Sequence, residues 1–465
     1  KLYIDQTGDI AILDREVPYF KDAQTARGTQ TDPLWDEAYG NRQRTADHQT
    51  YTGSILEHLL IQQLAAFYEV GDHNIYRLRG ADWNDALDMA AEKGESVAFT
   101  CAYAGNLMDL ANLIQFMEHT HTDGQIALLD EIAILLNDDA DTFDDINKKR
   151  AVLDAYTDCC RHNISGKRSS FSLKQIAASL QQKAIWLASH LREQEWIEGT
   201  HNEGWFNSYY DNHGQAVDGR HGDQIRMMLT GQVFAIMSGT ADAKQIKEIC
   251  RSADHYLYEK SAGGYRLNTD FKEEKFDLGR MFGFAYGEKE NGAVFSHMTV
   301  MYANALYQRG FAKEGYKALN TLLEAAQNFE NSKMYPGIPE YFDNQGRGLY
   351  AYLTGAASWY MLTVVTKVFG VRGSYGDLLV SPMLVKEQFS EEGLATIQLK
   401  FEGKNLQIQY VNADRLDYGE YHIQSVQTGE NIAYIPEGDT LRIPAAQIAG
   451  LSECGMHRVV ITLGK

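Results

Sequence analysis

The sequence predicts a mainly α protein: a helical toroid of the (α/α)6 kind, incomplete over this chain, followed by a small antiparallel β domain. Three observations carry this. Nine segments in the first ~370 residues repeat apolar side chains with the 3.6-residue helical period. The connectors between them are rich in Gly, Asp and aromatic residues. After Val371-Arg372-Gly373 the pattern changes to short alternating segments punctuated by turn residues.

In chain order, the periodicity predicts helices over 52–70, 98–119, 125–137, 173–193, 224–238, 243–260, 293–309, 312–328 and 355–369. The polar and aromatic connectors stand out at 79–88, 201–222 and 335–350. Long helices joined this way stack as hairpins with their loops gathered at one end, and a toroid is the natural closed form. Nine helices fall short of the twelve such a toroid needs. No fixed-period repeat supports a solenoid. Beyond 373, strands are predicted at 394–401, 406–411, 432–434, 440–443 and 458–462, with turns at Glu402-Gly403-Lys404-Asn405 and Glu437-Gly438-Asp439. The expected division is 1–372 for the helical body and 373–465 for a β-sandwich-like domain.

With 465 residues, 44% apolar and 23% charged, the chain is long enough for a large core. Acidic residues outnumber basic ones 63 to 43, a net charge of -20, and no basic cluster offers phosphate neutralisation along a nucleic acid or an anionic membrane. Neither is an expected partner. Cys101, Cys159, Cys160, Cys250 and Cys454 show no CxxC spacing and read as reduced thiols of a cytoplasmic protein. No run of 18 apolar residues occurs, and Lys1-Leu2-Tyr3 begins no signal peptide. The chain also lacks an initial Met, which suits a piece of something larger.

Chemistry concentrates in the connectors. Arg79-Gly80-Ala81-Asp82-Trp83-Asn84-Asp85-Ala86-Leu87-Asp88 offers carboxylates, an indole to stack on a sugar and, in Asn84, an amide for hydroxyls. A carboxyl group beside an indole gains pKa by desolvation; the plainer reading is an Asp-rich helix cap. Gly287-Glu288-Lys289-Glu290-Asn291-Gly292 leads into Ser296-His297, where Lys289, Ser296 and His297 could hold an anion at a helix start; a core histidine is the plainer reading. Thr354-Gly355 could present a hydroxyl and bare amide to an oxyanion, or be an ordinary N-cap. Gly204-Trp205-Phe206-Asn207-Ser208-Tyr209-Tyr210-Asp211 could line a sugar groove or pack a core. HExxH, P-loop, strand-bound GxGxxG and GxSxG patterns are absent, leaving no motif for a metal, nucleotide or serine nucleophile.

The order Asp82-Trp83-Asn84-Asp85, then Lys289-Glu290-Asn291 with His297 seven residues past Glu290, then Leu353-Thr354-Gly355 before a Trp-containing helix, resembles glycoside hydrolase family 94. The likeness extends to Thr7-Gly8-Asp9, Leu13 and Val17-Pro18-Tyr19 at one end and Lys400-Phe401-Glu402-Gly403 with Asn412 at the other. Members are inverting β-glycoside phosphorylases. The resemblance implies Asp85 as general acid and Trp83 as a donor-sugar contact. Lys289 and Glu290 match residues that bond the sugar, and Glu340 falls near another. His297, Thr354 and Gly355 match the phosphate site. Ala86 stands where many members have Gly, and Ser296 where several have Cys, which points to the oligoglucan enzymes. The β-1,2 type is favoured and the β-1,3 type is next.

So read, the reaction is phosphorolysis of a β-glucan to α-glucose 1-phosphate, with inorganic phosphate as co-substrate and no cofactor or metal. The rivals are an inverting hydrolase, with Glu290 as the second carboxylate, and a non-catalytic glycan-binding subunit. The resemblance also implies an N-terminal portion bearing a β-sandwich, a linker, further toroid helices and an Arg-Asp motif, supplied on the same polypeptide or as a separate chain. A homodimer is compatible with the reading.

Overall fold

The computed structural model describes residues 1–80, 84–335, 337–350, 355–429 and 432–465, and Asp85 without its side chain. Among the described residues, nine longer helices organise the first part: α1 (Ile55–Tyr68), α2 (Val97–Met117), α3 (Ile146–Cys159), α4 (Leu173–Gln194), α5 (Leu229–Ser238), α6 (Ala243–Tyr256), α7 (Ser296–Gln308), α8 (Ala312–Gln327) and α9 (Gly355–Thr363).

Their burial sorts them into two layers. Every residue of α7 from Met298 to Tyr307 is buried, and α5 is buried almost all round, as expected of helices with no solvent face. Helix α8 buries only a stripe, Ala312, Gly315, Ala318, Leu319, Leu322 and Ala326, and α6 does likewise through Ile246, Ile249, Cys250 and Ala253. Helices α2, α5, α7 and α9 form an inner row of successive neighbours, with α4 backing α2 and α8 backing α7, although α9 at the end of the row buries only Ala356 and Thr363. Helix α2 is, among the described residues, the one helix long and apolar enough to cross a membrane, and 56% of its apolar window is buried inside the protein.

Each inner helix is entered from a long connector, and the connectors are stitched together. Tyr209 pairs with Ser96 at the start of α2, and Met228 bridges Asn268 at the start of α5. Leu267 donates its N–H to the Ala293 carbonyl (2.9 Å), and Val294 pairs with Phe342 just before α7. The N-termini of α2, α5 and α7 therefore share one hydrogen-bonded belt. Ser96 caps α2 through the Phe99 N–H (3.0 Å), and Asp242 and Gln245 form a capping box on α6.

Several expected elements differ. The segment read as helix 125–137 is a strand, Gln125–Leu129, paired with Arg168–Ser172 and followed by a one-turn helix Ile132–Leu135. Its run of apolar residues is short enough to suit either period. Residues Gln224–Arg226 and Val294–Phe295 are strands that lead into helices rather than helix. Beyond Thr363 a π-turn, Val364–Val368, closes α9. Helix α3 escaped the periodicity because its buried stripe is Lys149, Leu153 and Tyr156, with a lysine where an apolar residue is expected.

After α9 come β1 (Val371–Ser374), β2 (Asp377–Val380), β3 (Leu394–Phe401), β4 (Lys404–Val411), β5 (His422–Thr428), β6 (Ile435–Glu437), β7 (Thr440–Ile443) and β8 (His457–Gly464). They form two four-stranded sheets of order β1-β2-β7-β6 and β3-β4-β8-β5. The expected purely antiparallel pairing needs correction, because β4 and β8 run parallel. The chain leaves the second sheet for β6 and β7 before β8 returns beside β4, and that crossover sets the direction. The segment 432–434 is not a strand; pairing begins at Ile435. One hydrophobic cluster runs from Leu306 and Leu322 of the helices to Val380, Leu406 and Ile461 of the sheets.

Candidate active site

Asp85 opens a single 3-10 turn, Asp85–Leu87, in the connector before α2. Asn84 caps it: its amide oxygen accepts from the Ala86 N–H (3.3 Å), and its Nδ2 donates to the Tyr209 hydroxyl (3.1 Å). Tyr209 is fully buried, and burial raises its hydroxyl pKa. Ala86 and Leu87 are buried too, pressed against Leu278–Arg280. Gly279 is needed for that approach, since a Cβ there would lie 1.9 Å from the Ala86 carbonyl oxygen. The Arg280 N–H completes the clamp on Asp88 Oδ1 (3.0 Å). Trp83 and Thr354 lie outside the described residues, as does the side chain of Asp85.

From this clamp a series of contacts leads across the belt. Arg280 Nη2 is 3.8 Å from Glu290 Oε1, while Glu290 Oε2 is buried with no hydrogen-bond partner among the described residues. Next to it, Lys289 sits at φ +49°, backbone that a long side chain seldom adopts. The turn is held by Gly287 N–H to Asn291 O (2.6 Å) and by Asn291 Nδ2 to Phe284 O (2.8 Å). So held, Lys289 extends over the Tyr350 ring (3.8 Å to its centroid) and donates to Glu340 Oε2 (3.3 Å). Burial works to lower the Lys289 ammonium, but the hydrogen bond and charge of Glu340 outweigh it and leave the pKa above its ordinary value.

Glu340 also joins this pair to α7, because its carbonyl accepts the Ser296 N–H (2.9 Å). Ser296 is fully buried, and its Oγ has no hydrogen-bond partner among the described residues. His297 follows in the first turn of α7. Its ring centroid is 5.9 Å from that of Trp359, and burial lowers its pKa. Gly355, the first residue of α9, lies against the same imidazole: a Cβ there would sit 2.7 Å from His297 Cε1. Two inner-helix N-termini thus meet at one histidine.

The structure brings Asn84, the Asp85 turn, Lys289, Glu290, Glu340, His297 and Gly355 onto one connected surface of the belt. The stretch 204–211 belongs to the core: Trp205, Phe206 and Tyr209 are fully buried and offer no open face to a sugar. Sequence reasoning passed over Arg280, Tyr209 and Tyr350. Arg280 had no motif around it; Tyr209 and Tyr350 stood in stretches already marked as aromatic. It also passed over Asp218, a buried carboxylate that accepts from the Ser208 (2.9 Å) and Met228 (2.6 Å) N–H groups and pins the connector ahead of α5.

Comparison with known proteins adds the following. Residues 170–370 match the model of the glycosyl hydrolase 94 superfamily, catalytic domain, a span that holds Lys289, Glu290, His297, Glu340 and Gly355. Solabiose phosphorylase of Paenibacillus borealis is 22% identical over 399 residues, 83% of this chain and 40% of that protein. N,N'-diacetylchitobiose phosphorylase of Vibrio proteolyticus is 21% identical over 426 residues, 90% of this chain and 42% of that protein. Cyclic beta-(1,2)-glucan synthase NdvB of Rhizobium meliloti (strain 1021) is 21% identical over 398 residues, 83% of this chain and 12% of that protein. The chain spans about two fifths of the length of the two phosphorylases.

Proposed function

We propose that this chain, with its glycosyl hydrolase 94 catalytic-domain match, carries the catalytic centre of an inverting β-glycoside phosphorylase that acts on β-glucan oligosaccharides and releases α-glucose 1-phosphate. The observation that carries the reading is the meeting of His297 with Gly355 at two inner-helix N-termini, linked to the Asp85 turn through the Lys289–Glu340 and Glu290–Arg280 pairs.

A phosphorylase needs one proton-transfer group, because phosphate arrives as an anionic nucleophile. Asp85, protonated, gives its proton to the departing glycosidic oxygen. Phosphate attacks the anomeric carbon from the opposite face, and the β-glucoside becomes the α-phosphate. The amide end of α9 at Gly355, with Thr354 before it, and the first turn of α7 point partial positive charge at that nucleophile. Burial lowers the pKa of His297, and a phosphate anion beside the ring would favour its protonated form. Lys289, Glu290, Glu340 and Asn84 bond sugar hydroxyls, and Trp83 stacks on the donor ring. Inorganic phosphate is the co-substrate, and no cofactor is invoked.

Ala86 and Ser296 at the two motif positions support an oligoglucan substrate, and support for the β-1,2 linkage comes from the name of the cyclic β-1,2-glucan synthase relative. A β-1,3-oligoglucan phosphorylase is the next choice. One observation favours a hydrolase instead: Glu290 Oε2 is buried without a hydrogen-bond partner among the described residues, so it is available as a second carboxylate. Incubation with β-1,2, β-1,3 and β-1,4 oligoglucans, with and without inorganic phosphate, decides among these. Glucose 1-phosphate formed only with phosphate, fastest from β-1,2 chains, is the expected result. Free glucose released at equal rate without phosphate would establish the hydrolase.

A further inference from the structure

A pocket of about 150 Å³ opens between the end of α1, helix α3 and the turn Ala26–Gly28. Arg77, Arg79 and Arg150 line it, together with Glu69 and Asp154. Glu69 is buried and ion-paired with Arg79, and Arg27 Nε approaches its other oxygen (3.9 Å). Arg150 pairs with the exposed Asp72 at the rim (3.2 Å). Arg77 donates to the Glu92 backbone carbonyl (2.7 Å) and has no carboxylate partner among the described residues. Its guanidinium is pushed below its ordinary pKa first by burial, then by the charges of Arg79 and Arg150, against the opposing pull of Glu69 and Asp72.

Four arginines, counting Arg27, therefore face Glu69, Asp72 and Asp154, a local excess of positive charge on a chain whose net charge is -20. The backbone is strained at the same place. Ala26 and Arg27 both have left-handed φ, +47° and +55°, which carries Arg27 over the Tyr76 ring and toward Glu69. Strain of this kind persists where the surroundings hold it, and it concentrates at binding sites.

We propose that this pocket binds a phosphate group at a site separate from His297 and Gly355. Planar guanidinium forks match phosphate oxygens two at a time, which an ammonium cannot do. An occupant would relieve the repulsion around Arg77 and tie the segment carrying Arg77 and Arg79, a few residues ahead of Asp85, to α1 and α3. Inorganic phosphate and glucose 1-phosphate share the required chemistry. The inference stands on the arginines and the pocket, and does not need the phosphorylase reading.

Equilibrium dialysis of the native protein against inorganic phosphate, and separately against glucose 1-phosphate, tests it. The His297→Ala variant silences the other seat. Saturable binding should survive in that background and weaken about tenfold or more on adding Arg77→Gln or Arg150→Gln, the loss of a charge-assisted hydrogen bond. Arg77→Lys, which keeps the charge and loses the fork, should fall between. Whichever of the two probes binds more tightly identifies the source of the phosphate group. Circular dichroism checks folding, and Arg150, at the exposed rim, supplies the variant if Arg77→Gln does not fold. No saturable phosphate or sugar-phosphate binding in His297→Ala, or binding unaffected by the folded arginine variants, would overturn the proposal. Absence of phosphorolysis in the intact protein would count against the proposed function and leave this binding measurement as it is.

Discussion

Asp85 and Gly355 occupy opposite ends of the proposed chemistry, and single substitutions separate their roles. Asp85→Asn removes the transferable proton but keeps the size of the side chain. Phosphorolysis and the reverse synthesis should fall together by ~10²–10⁴-fold, since one acid serves both directions. Near-normal turnover in either direction would remove Asp85 from the mechanism. Gly355→Ala acts elsewhere. Its new methyl group would lie 2.7 Å from the His297 ring, so the imidazole must shift. The expected result is a rise of roughly tenfold in the phosphate KM, with a smaller change in the oligosaccharide KM. Initial rates with each substrate varied in turn check this, and a glucan KM that rises while the phosphate KM stays constant would reverse the assignment. At this scale the sequence spoke through residue order: the spacing from Lys289 to His297 and the Thr354-Gly355 pair mark candidate ligands. It was silent on Arg280, whose place depends on Gly279 lying against a carbonyl 193 residues earlier, at Ala86. Local sequence carries no trace of such a meeting.

The connectors are the elements on which the site depends, and buried polar groups hold them. Asp218 is the clearest. Burial pushes its carboxyl pKa up to about 7, against the pull of the Met228 and Ser208 N–H groups. Its ordinary value is about 3.9. The folded state therefore binds more protons than the unfolded state between about pH 4 and 7, and the stability this group contributes falls as pH rises through that window. Asp218→Asn cannot titrate, so the stability of the wild type relative to this variant should be greater at pH 5 than at pH 8. Thermal midpoints of both proteins at the two pH values measure the effect, and a constant difference would show that Asp218 is ionised throughout. Element identity was readable where one period dominated, as in α2, α4, α7 and α8. It failed at 125–137, where a short apolar run suits both periods, and at α3, where buried Lys149 lies over the Phe67 and Trp186 rings in place of an aliphatic residue. The strands β1 and β2 were missed because each is only four residues long, and β5 because its outward residues are polar.

At the scale of the molecule, the inner row has two ends of different character. The outward residues of α2 include Asn106, Asp109 and Asn112, which suit water. Helix α9 differs: in Gly355-Ala356-Ala357-Ser358-Trp359-Tyr360-Met361-Leu362-Thr363 only Ala356 and Thr363 are buried, and Met361 is 62% exposed. An apolar helix with an uncovered face is a standing site of association. We propose that its cover is the further length of polypeptide that the longer relatives have. Residues 1–465 expressed alone should then self-associate as concentration rises, and Met361→Glu should reduce that association by placing a charge on the uncovered face. Light scattering after size exclusion across a range of concentrations gives the mass directly. A strictly monomeric 52.4 kDa species, with or without the substitution, would mean that α9 needs no cover, and the expectation of a missing neighbour would fall with it.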